Sequence, residues 1–347
     1  MRFKTITSPH AQRGNNVGFV MRQVLYALVP GTLALFWVFG WGVLVQLGLA
    51  IAVALLAEAA MLLARGRPVG QHLGDYSAVV TAWLFALCIP TLAPWWLTTL
   101  GIGFAIVVAK HLYGGIGYNP FNPAMIGYVA LLISFPTHMT SWLAPNVLAE
   151  AQPSLSETLR IIFTGQLPAG LSWDSLTMAT PLDHVKTQLG LNHTLGEIRD
   201  SSPLFGFFGG RGWELVIAGF TLGGLWLLGR QIIAWQIPAG MLGALAVIST
   251  LFMLVDPDTY PGPGFQLFTG AAIFGAFFIA TDPVSASTTP LGRFLFGAGI
   301  GLLIYVIRSW GGYPDGVAFA VLLMNMAAPT IDYFTKPRVF GTQGGGH

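Results

Sequence analysis

Residues 42–64 read GVLVQLGLAIAVALLAEAAMLLA, a run in which Glu58 is the single charged side chain. An α-helix needs about 20 consecutive apolar residues to cross the hydrocarbon core of a bilayer. This run is long enough, and its many leucines and alanines favour a helix. The stretch therefore predicts a membrane-spanning helix, and it sets the fold class for the rest of the chain.

Comparable apolar windows recur along all 347 residues, of which 54% are hydrophobic and 9% charged. A soluble domain has about 25% charged residues, so most of this chain lacks an aqueous face. The chain is therefore predicted to be an all-α polytopic membrane protein with about ten transmembrane helices. The predicted spans are 22–40, 42–64, 77–92, 95–112, 123–136, 213–229, 232–255, 265–281, 291–310 and 316–334. The fifth and eighth are short and flanked by Gly and Pro, which suggests broken or re-entrant helices.

The basic residues indicate how the spans are oriented. Ten spans place both termini on one side, and assigning that side to the cytoplasm puts most Lys and Arg there, as the positive-inside rule expects. The polar start of the chain is not expected to be a cleaved signal peptide. We predict a multi-pass protein of the bacterial inner membrane with five regions. They are a cytoplasmic N-terminus (1–21), a first membrane repeat (22–136), a periplasmic segment (137–212), a second membrane repeat (213–334) and a cytoplasmic C-terminal tail (335–347).

The two membrane halves resemble each other at an offset of roughly 195 residues. Each contains a span, a glycine pair, a turn with Pro and Asn or Asp, and an apolar run ending in proline. Because five spans per half is odd, the repeats must be inverted, and inverted repeats often hold a site near the midplane. The Gly/Pro-rich interruptions at 114–123 and 281–287 are candidates for that site. Tight turns alone are an equally good interpretation.

Composition also limits the chemistry of the chain. Cys88 is the only cysteine, so neither an internal disulfide nor an iron–sulfur cluster is expected within the chain. The seven histidines show no metal-ligand spacing, so no metal site is predicted. A net charge of +2 without a basic run gives no indication of nucleic-acid binding.

The polar segment between the halves contains three helix-start signals. Ser154-Leu155-Ser156-Glu157 and Thr194-Leu195-Gly196-Glu197 have the spacing of capping boxes. Between them, Thr180-Pro181-Leu182-Asp183 predicts Thr180 at an N-cap and Pro181 at the first helical position. Local physics favours a simple cap, but a helix N-terminus would also hold a phosphate on the Thr180 hydroxyl.

The stretch Asp174-Ser175-Leu176-Thr177-Met178-Ala179-Thr180 resembles the signature on which a flavin transferase attaches FMN through a phosphoester. The runs at 114–124 and 280–285 resemble the NqrB/RnfD family. That family contains the D subunit of the Rnf electron transport complex and the B subunit of the sodium-pumping NADH:quinone reductase. The resemblance covers residues 9 to about 332. Met178 replaces a glycine that is frequent in the signature, while the reactive hydroxyl is retained.

The resemblance implies a cofactor and partners. The modified residue would be Thr180, with Thr177 and Asp174 as weaker members of the motif, and the FMN would face the outside. A non-covalent riboflavin occurs in the sister family, without contacts that can be assigned here. The chain would be a subunit of an ion-pumping ferredoxin:NAD+ oxidoreductase and is not expected to be active alone. No catalytic residue is assigned, and the implied partners are the other complex subunits, a flavin transferase and membrane lipid.

Movement of Na+ or H+ requires polar groups within the membrane, where they are costly. The candidates are Glu58, Asn119, Asn122 and Asp282. Two structural alternatives stand beside them: Glu58 pairs with Arg65 or snorkels, and Asp282 caps the turn that follows it. The competing functional class is a small-solute channel or secondary transporter without a redox cofactor. A third alternative is a structural scaffold whose flavin signature has decayed.

Overall fold

The computed structural model describes residues 17–115, 117–149, 152–168 and 170–336, and their regular structure is helical. The helices in chain order are α1 Val17–Phe39, α2 Gly42–Ala64, α3 Val69–Leu73, α4 Ser77–Ala86, α5 Trp95–Gly103, α6 Pro123–Ser134, α7 Pro136–Thr140, α8 Leu155–Thr164, α9 Trp173–Leu176, α10 Pro181–Gly190, α11 Leu195–Ser201, α12 Trp213–Gly229, α13 Gln236–Val255, α14 Pro263–Leu267, α15 Ala272–Phe274, α16 Pro290–Trp310 and α17 Val317–Phe334. Two π-helical stretches, Phe104–His111 and Gly275–Ile279, continue α5 and α15. The helical, membrane-type fold predicted from the sequence is confirmed.

Five of these helices are long and apolar enough to cross a membrane by themselves: α1, α2, α13, α16 and α17. Helices α4, α6 and α12 are apolar but shorter. The remaining two predicted spans correspond to α5 with its π-helical continuation and to the interrupted run from α14 to Ile279. The tails at 1–16 and 337–347, which include most of the predicted cytoplasmic regions, lie outside the described residues.

The helix starts reproduce the internal repeat. Five pairs of first residues are separated by 194 to 196 positions, and the pairs are Val17 and Trp213, Gly42 and Gln236, Ser77 and Ala272, Trp95 and Pro290, and Pro123 and Val317. Packing repeats as well, because α2 packs on α5 as α13 packs on α16, and α5 contacts α6 as α16 contacts α17. Equivalent helices also meet across the interface, α1 with α12 and α6 with α17. The two repeats are therefore related by pseudo-two-fold symmetry.

Glycine allows the two repeats to approach closely. A Cβ at Gly223 of α12 would overlap the carbonyl oxygen of Ala27 on α1. Close contact of this kind, made through small residues, is typical of helix pairs in membranes. The α1–α12 contact is therefore a tight part of the inter-repeat interface.

Several boundaries differ from those predicted. Helix α1 begins at Val17 in place of residue 22, because the residues between them continue its apolar face. The third span is a helix only over Ser77–Ala86, since the segment before Pro90 leaves the helix. The predicted break in the eighth span is confirmed at Gly270, which has a φ of +60°. The fifth span is a continuous helix over Pro123–Ser134, followed by α7 after Phe135.

Candidate functional site

The segment that carries Asp174 and Thr180 pairs with residues 142–144, at the end of the bundle that we name the outer end. Helix α9 ends at Leu176, and Leu143 and Thr177 then form an antiparallel bridge. Ala144 N–H donates to the Leu176 carbonyl over 2.9 Å, and Met178 N–H donates to the Trp142 carbonyl over 2.9 Å. These backbone bonds hold the motif against residues 142–144, and Asn146 N–H ties that stretch to the Val38 carbonyl of α1 over 2.9 Å.

Thr180 is the N-cap of α10, as the local sequence predicts. Its backbone is extended, with φ −68° and ψ 158°, and its hydroxyl accepts from the Asp183 N–H over 3.3 Å. Thr177 differs, because its hydroxyl donates to the Trp173 carbonyl over 2.8 Å. Asp174 is exposed in the first turn of α9. Of the two hydroxyls, that of Thr180 is therefore the one located at a helix N-terminus.

The other predicted caps of this segment are also formed. Ser154 with Glu157 and Thr194 with Glu197 make complete capping boxes on α8 and α11. Hydrogen bonds from Ser154 hold the pKa of the Glu157 carboxyl below its usual range. The segment is thus a set of short capped helices on the outer end of the bundle.

Thr180 lies at the wall of a cavity of about 160 Å³, which we name the outer cavity. The cavity runs between the two repeats, and its aromatic lining includes Tyr128, Trp142, Trp213, Phe220, Phe274 and Tyr313. Trp142 and Trp213 pack edge to face with ring centroids 5.4 Å apart. The outer cavity is mostly apolar and can accept a flat aromatic ring.

One ion pair borders this apolar lining. Asp315 lines the outer cavity, and its carboxylate accepts from the Arg308 guanidinium over 3.1 Å and from Ala271 N–H over 2.7 Å. Arg308 also donates to the carbonyls of Gln266 and Thr269. The Asp315 charge is thereby balanced by the Arg308 cation. Asp183 adds a second carboxylate to the lining of the cavity.

The ion-path candidate Glu58 lies in a second buried group, which we name the inner cluster (Glu58, Ser77, Lys110 and His111). Lys110 Nζ donates to both Glu58 oxygens, over 2.9 and 2.7 Å, and to Ser77 Oγ over 2.8 Å. His111 Nε2 lies 3.3 Å from the same carboxylate. The alternative of a Glu58–Arg65 pair is wrong, because Arg65 donates to the His111 carbonyl oxygen. Snorkelling is excluded too, because Glu58 is 3% exposed.

The other three candidates surround a cavity of about 90 Å³ on the same inter-repeat interface, which we name the inner cavity. Asn119, Asn122 and Asp282 all line it, together with Lys110 of the inner cluster. Asn122 caps α6 by accepting from Ala124 N–H over 3.0 Å, so its side chain has a structural role. The structure thus brings the four candidates to one end of the interface, joined by Lys110.

Asp282 caps the turn that follows it, as the structural alternative proposed. Its carboxylate accepts from Val284 N–H over 3.1 Å and from Ser285 Oγ over 2.9 Å. Both interactions lie within three residues of Asp282, so the sequence was sufficient to predict them. A cap does not exclude contact with an ion, since the side chain also lines the inner cavity.

Comparison with known proteins decides the family. The profile described as "NQR2, RnfD, RnfE family" matches residues 4–341. The chain belongs to the NQR2, RnfD, RnfE family. A relative from Aliivibrio salmonicida, named as the D subunit of an ion-translocating oxidoreductase complex, is 53% identical over 99% of this chain and 100% of its own length. A relative of the same name from Alcanivorax borkumensis is 54% identical over 98% and 97%.

Some polar residues of this NQR2, RnfD, RnfE family member could not be assigned from the sequence. Lys110 and His111 stand out there only as basic residues before a glycine pair, and Ser77 and Asn325 do not stand out at all. Asn325 Oδ1 accepts from Asn122 N–H over 3.3 Å, across the repeat interface. The one sequence signal for the inner cluster is Lys110 itself, a lysine at the end of an apolar run. Its partner Glu58 is 52 residues away, and a single sequence cannot show that pairing.

Proposed function

We propose that this chain is the membrane-embedded D subunit of an ion-translocating electron transport complex that exchanges electrons between ferredoxin and NAD. Relatives of about 53% identity over nearly the full length carry the name of that subunit. The chain would work in the bacterial inner membrane with the other subunits and with lipid, and it would not be active alone. Both termini would be cytoplasmic, and residues 137–212 would be periplasmic.

We further propose that FMN is attached to Thr180 through a phosphoester made by a flavin transferase. The observation that carries this proposal is the position of the Thr180 hydroxyl, at a helix N-terminus and at the wall of an apolar, aromatic cavity. The two halves of FMN require different surroundings. The N-terminal end of α10 suits the phosphate, because its N–H groups and dipole favour an anion. The aromatic side chains that line the outer cavity suit the faces of the ring. The described residues therefore match the two halves of FMN in their chemistry.

When bound, FMN supplies the ability to pass electrons one at a time. The chain contributes position and environment. Helix α10 holds the attached end at the outer surface, while Tyr128, Trp142 and Trp213 exclude water from the cavity. The Arg308–Asp315 pair is the charged group that borders it. A second, non-covalent riboflavin stays a prediction without assigned residues.

For the ion, we propose a route through the inner end of the interface. Its observed basis is the convergence of Asn119, Asn122, Asp282 and the Glu58–Lys110 pair around one cavity. These groups offer amide and carboxylate oxygens inside a membrane protein, where uncompensated polar groups are costly. Whether Na+ or H+ moves is then a matter of which cation these oxygens accept.

A denaturing gel viewed under ultraviolet light tests the flavin proposal. Wild-type chain from cells that contain the flavin transferase should give a yellow-green fluorescent band at its own mass. The band should vanish in Thr180→Ala and persist in Thr177→Ala, which serves as the matched control. A dark wild-type band would overturn the covalent FMN and favour the channel, transporter or scaffold alternatives.

A further inference from the structure

The side chain of Lys186 makes an unusual set of contacts. This residue lies on α10, six positions after Thr180, and its ammonium reaches back to the membrane repeat. Four backbone carbonyl oxygens surround Nζ, and they are those of Ile307 at 3.3 Å, Arg308 at 3.1 Å, Gly311 at 2.5 Å and Tyr313 at 2.9 Å. A surface lysine normally stays hydrated and mobile, so four converging acceptors indicate a built contact.

The chemistry of the acceptors explains why a cation is placed there. Ile307 and Arg308 belong to the last turn of α16, where the Ile307 carbonyl also accepts from the Gly311 N–H over 2.9 Å and the carbonyls after it have no further helical turn to bond. That turn is also the negative end of the helix dipole, which a cation stabilises. Gly311 and Tyr313 belong to the loop that follows. Lys186 therefore closes the C-terminal end of α16 and fixes its loop.

The contact joins two elements that both line the outer cavity. Helix α10 contributes Thr180 and Pro181 to its wall, and the loop after α16 contributes Tyr313 and Asp315. Thr180 and Lys186 are separated by about 9 Å along the helix axis, at 1.5 Å per residue. Fixing Lys186 to the loop therefore limits how far Thr180 can move relative to the Tyr313 side of the cavity.

A second contact fixes the N-terminal end of the same helix. A Cβ at Gly210 would overlap the ring of Pro181, which shows how closely the 205–210 loop approaches the Thr180 cap. Phe205 and Gly210 pair as an antiparallel bridge, so the loop has a defined shape. Helix α10 is thus held at two points, by packing at Pro181 and by charge at Lys186.

We infer that Lys186 is a positioning residue, which holds the Thr180 helix at a fixed distance from the Tyr313–Asp315 wall of the outer cavity. For its flavin readout this inference rests on the proposed attachment of FMN to Thr180. The contact itself does not depend on the flavin. Lys186 acts through α10 and touches none of the groups expected to react.

The experiment compares Lys186→Met with Arg199→Met in the purified, intact complex. Arg199→Met is the matched control, because it removes an exposed positive charge from α11 in the same segment. The first readout is hydrogen exchange at α10 and at residues 311–313. The second is quenching of the covalent flavin by iodide, a probe that needs no turnover.

Loss of Lys186 should speed exchange at both places by about tenfold, as expected for local opening, and should raise iodide quenching about twofold. Arg199→Met should change neither. Wild-type exchange rates at both places in Lys186→Met would overturn the inference. Faster exchange with unchanged quenching would overturn it as well, because the contact would then stabilise the loop without positioning Thr180.

Two further arms keep the test decisive. If Lys186→Met does not assemble, Lys186→Arg is measured, since the guanidinium keeps the charge but is larger and spreads its N–H donors in one plane, which does not match four carbonyls that converge on one point. It should show faster exchange and stronger quenching than wild type, and equality with wild type would contradict the inference. If wild-type chain holds no covalent flavin, the proposed function fails, while the exchange readout still decides whether Lys186 fixes α10.

Discussion

The outer and inner cavities lie on the same interface between the repeats, yet they differ in chemistry. The outer cavity is aromatic and has a volume of about 160 Å³, whereas the inner one is about 90 Å³ and is lined by Asn119, Asn122, Asp282 and Lys110. Helices α6 and α12 contribute to both. The duplicated scaffold therefore supplies two cavities, and the residues at each end decide what each can hold.

Each end also contains a buried cation near the end of a membrane helix: Lys110 in the π-helical continuation of α5, and Arg308 in α16. At the inner end, Lys110 and Glu58 both have side chains that are 4% exposed. At the outer end, Arg308 is 2% exposed while its partner Asp315 is 26% exposed. The inner carboxylate is therefore more completely removed from solvent, and the first prediction follows from this difference.

The largest effect is expected from Glu58→Leu. It leaves the Lys110 ammonium buried without its carboxylate, which should lower the free energy of unfolding by about 3–5 kcal/mol. Asp315→Leu should cost less, about 1–3 kcal/mol, because the Asp315 carboxylate is already partly solvated and Arg308 keeps its bonds to the carbonyls of Gln266 and Thr269. Titration with a denaturing detergent in mixed micelles measures both variants.

The double variant Glu58→Leu/Lys110→Met is the control for the inner pair. Removal of both charges should recover most of the lost stability, since a buried pair is replaced by apolar groups. Equal losses in Glu58→Leu and Asp315→Leu would contradict the difference in burial between the two ends.

A smaller effect is expected from Gly210→Ala at the outer end. The new methyl group would overlap Pro181, so the Thr180 cap must shift, at a cost of about 1–3 kcal/mol. The flavin proposed on Thr180 should become more accessible to iodide, while the ion translocation proposed at the inner end should keep its dependence on cation concentration. Gly190→Ala is the control on the same helix, because nothing lies within 4 Å of a Cβ there. Equal behaviour of the two variants would show that the 205–210 loop does not position the cap.

The smallest effect concerns acid. His184 of α10 has its pKa lowered by burial, which the nearby Asp183 opposes. In the unfolded chain His184 has its ordinary pKa of about 6.5. Just below pH 6.5 the unfolded chain therefore binds more protons at His184 than the folded chain does. Stability must then fall as the pH drops below about 6.5. Hydrogen exchange in α10, corrected for its intrinsic rate, should be faster at pH 5.5 than at pH 7.5.

His184→Leu should remove this pH dependence of α10. Helix α8 is the internal reference, because it contains no histidine and its Glu157 cap, with a lowered pKa, stays ionised at pH 5.5. An acid response of equal size in wild type and His184→Leu would assign the effect to another group.

The features that the sequence predicts well depend on neighbours two or three residues apart. Thr180 as an N-cap, the capping boxes at Ser154 and Thr194, and the turn at Asp282 are all of this kind. Helix starts at Trp95, Pro123 and Trp213 also follow from local apolar runs and helix breakers. The short third span was missed, because hydropathy does not distinguish a helix from an irregular segment that is equally buried.

A membrane fold of two related halves, and the hydroxyl that matches the flavin signature, follow from the order of residues along the chain, since hydrophobic runs, repeats and caps can be read there directly. Which charges meet depends instead on the packing of the helices. Lys110 reaches Glu58 across 52 residues, Asn122 reaches Asn325 across 203, and Lys186 reaches Gly311 across 125. Such contacts form only in the folded chain. A buried charge or polar group needs a partner, and the packing of the helices decides which partner is close enough.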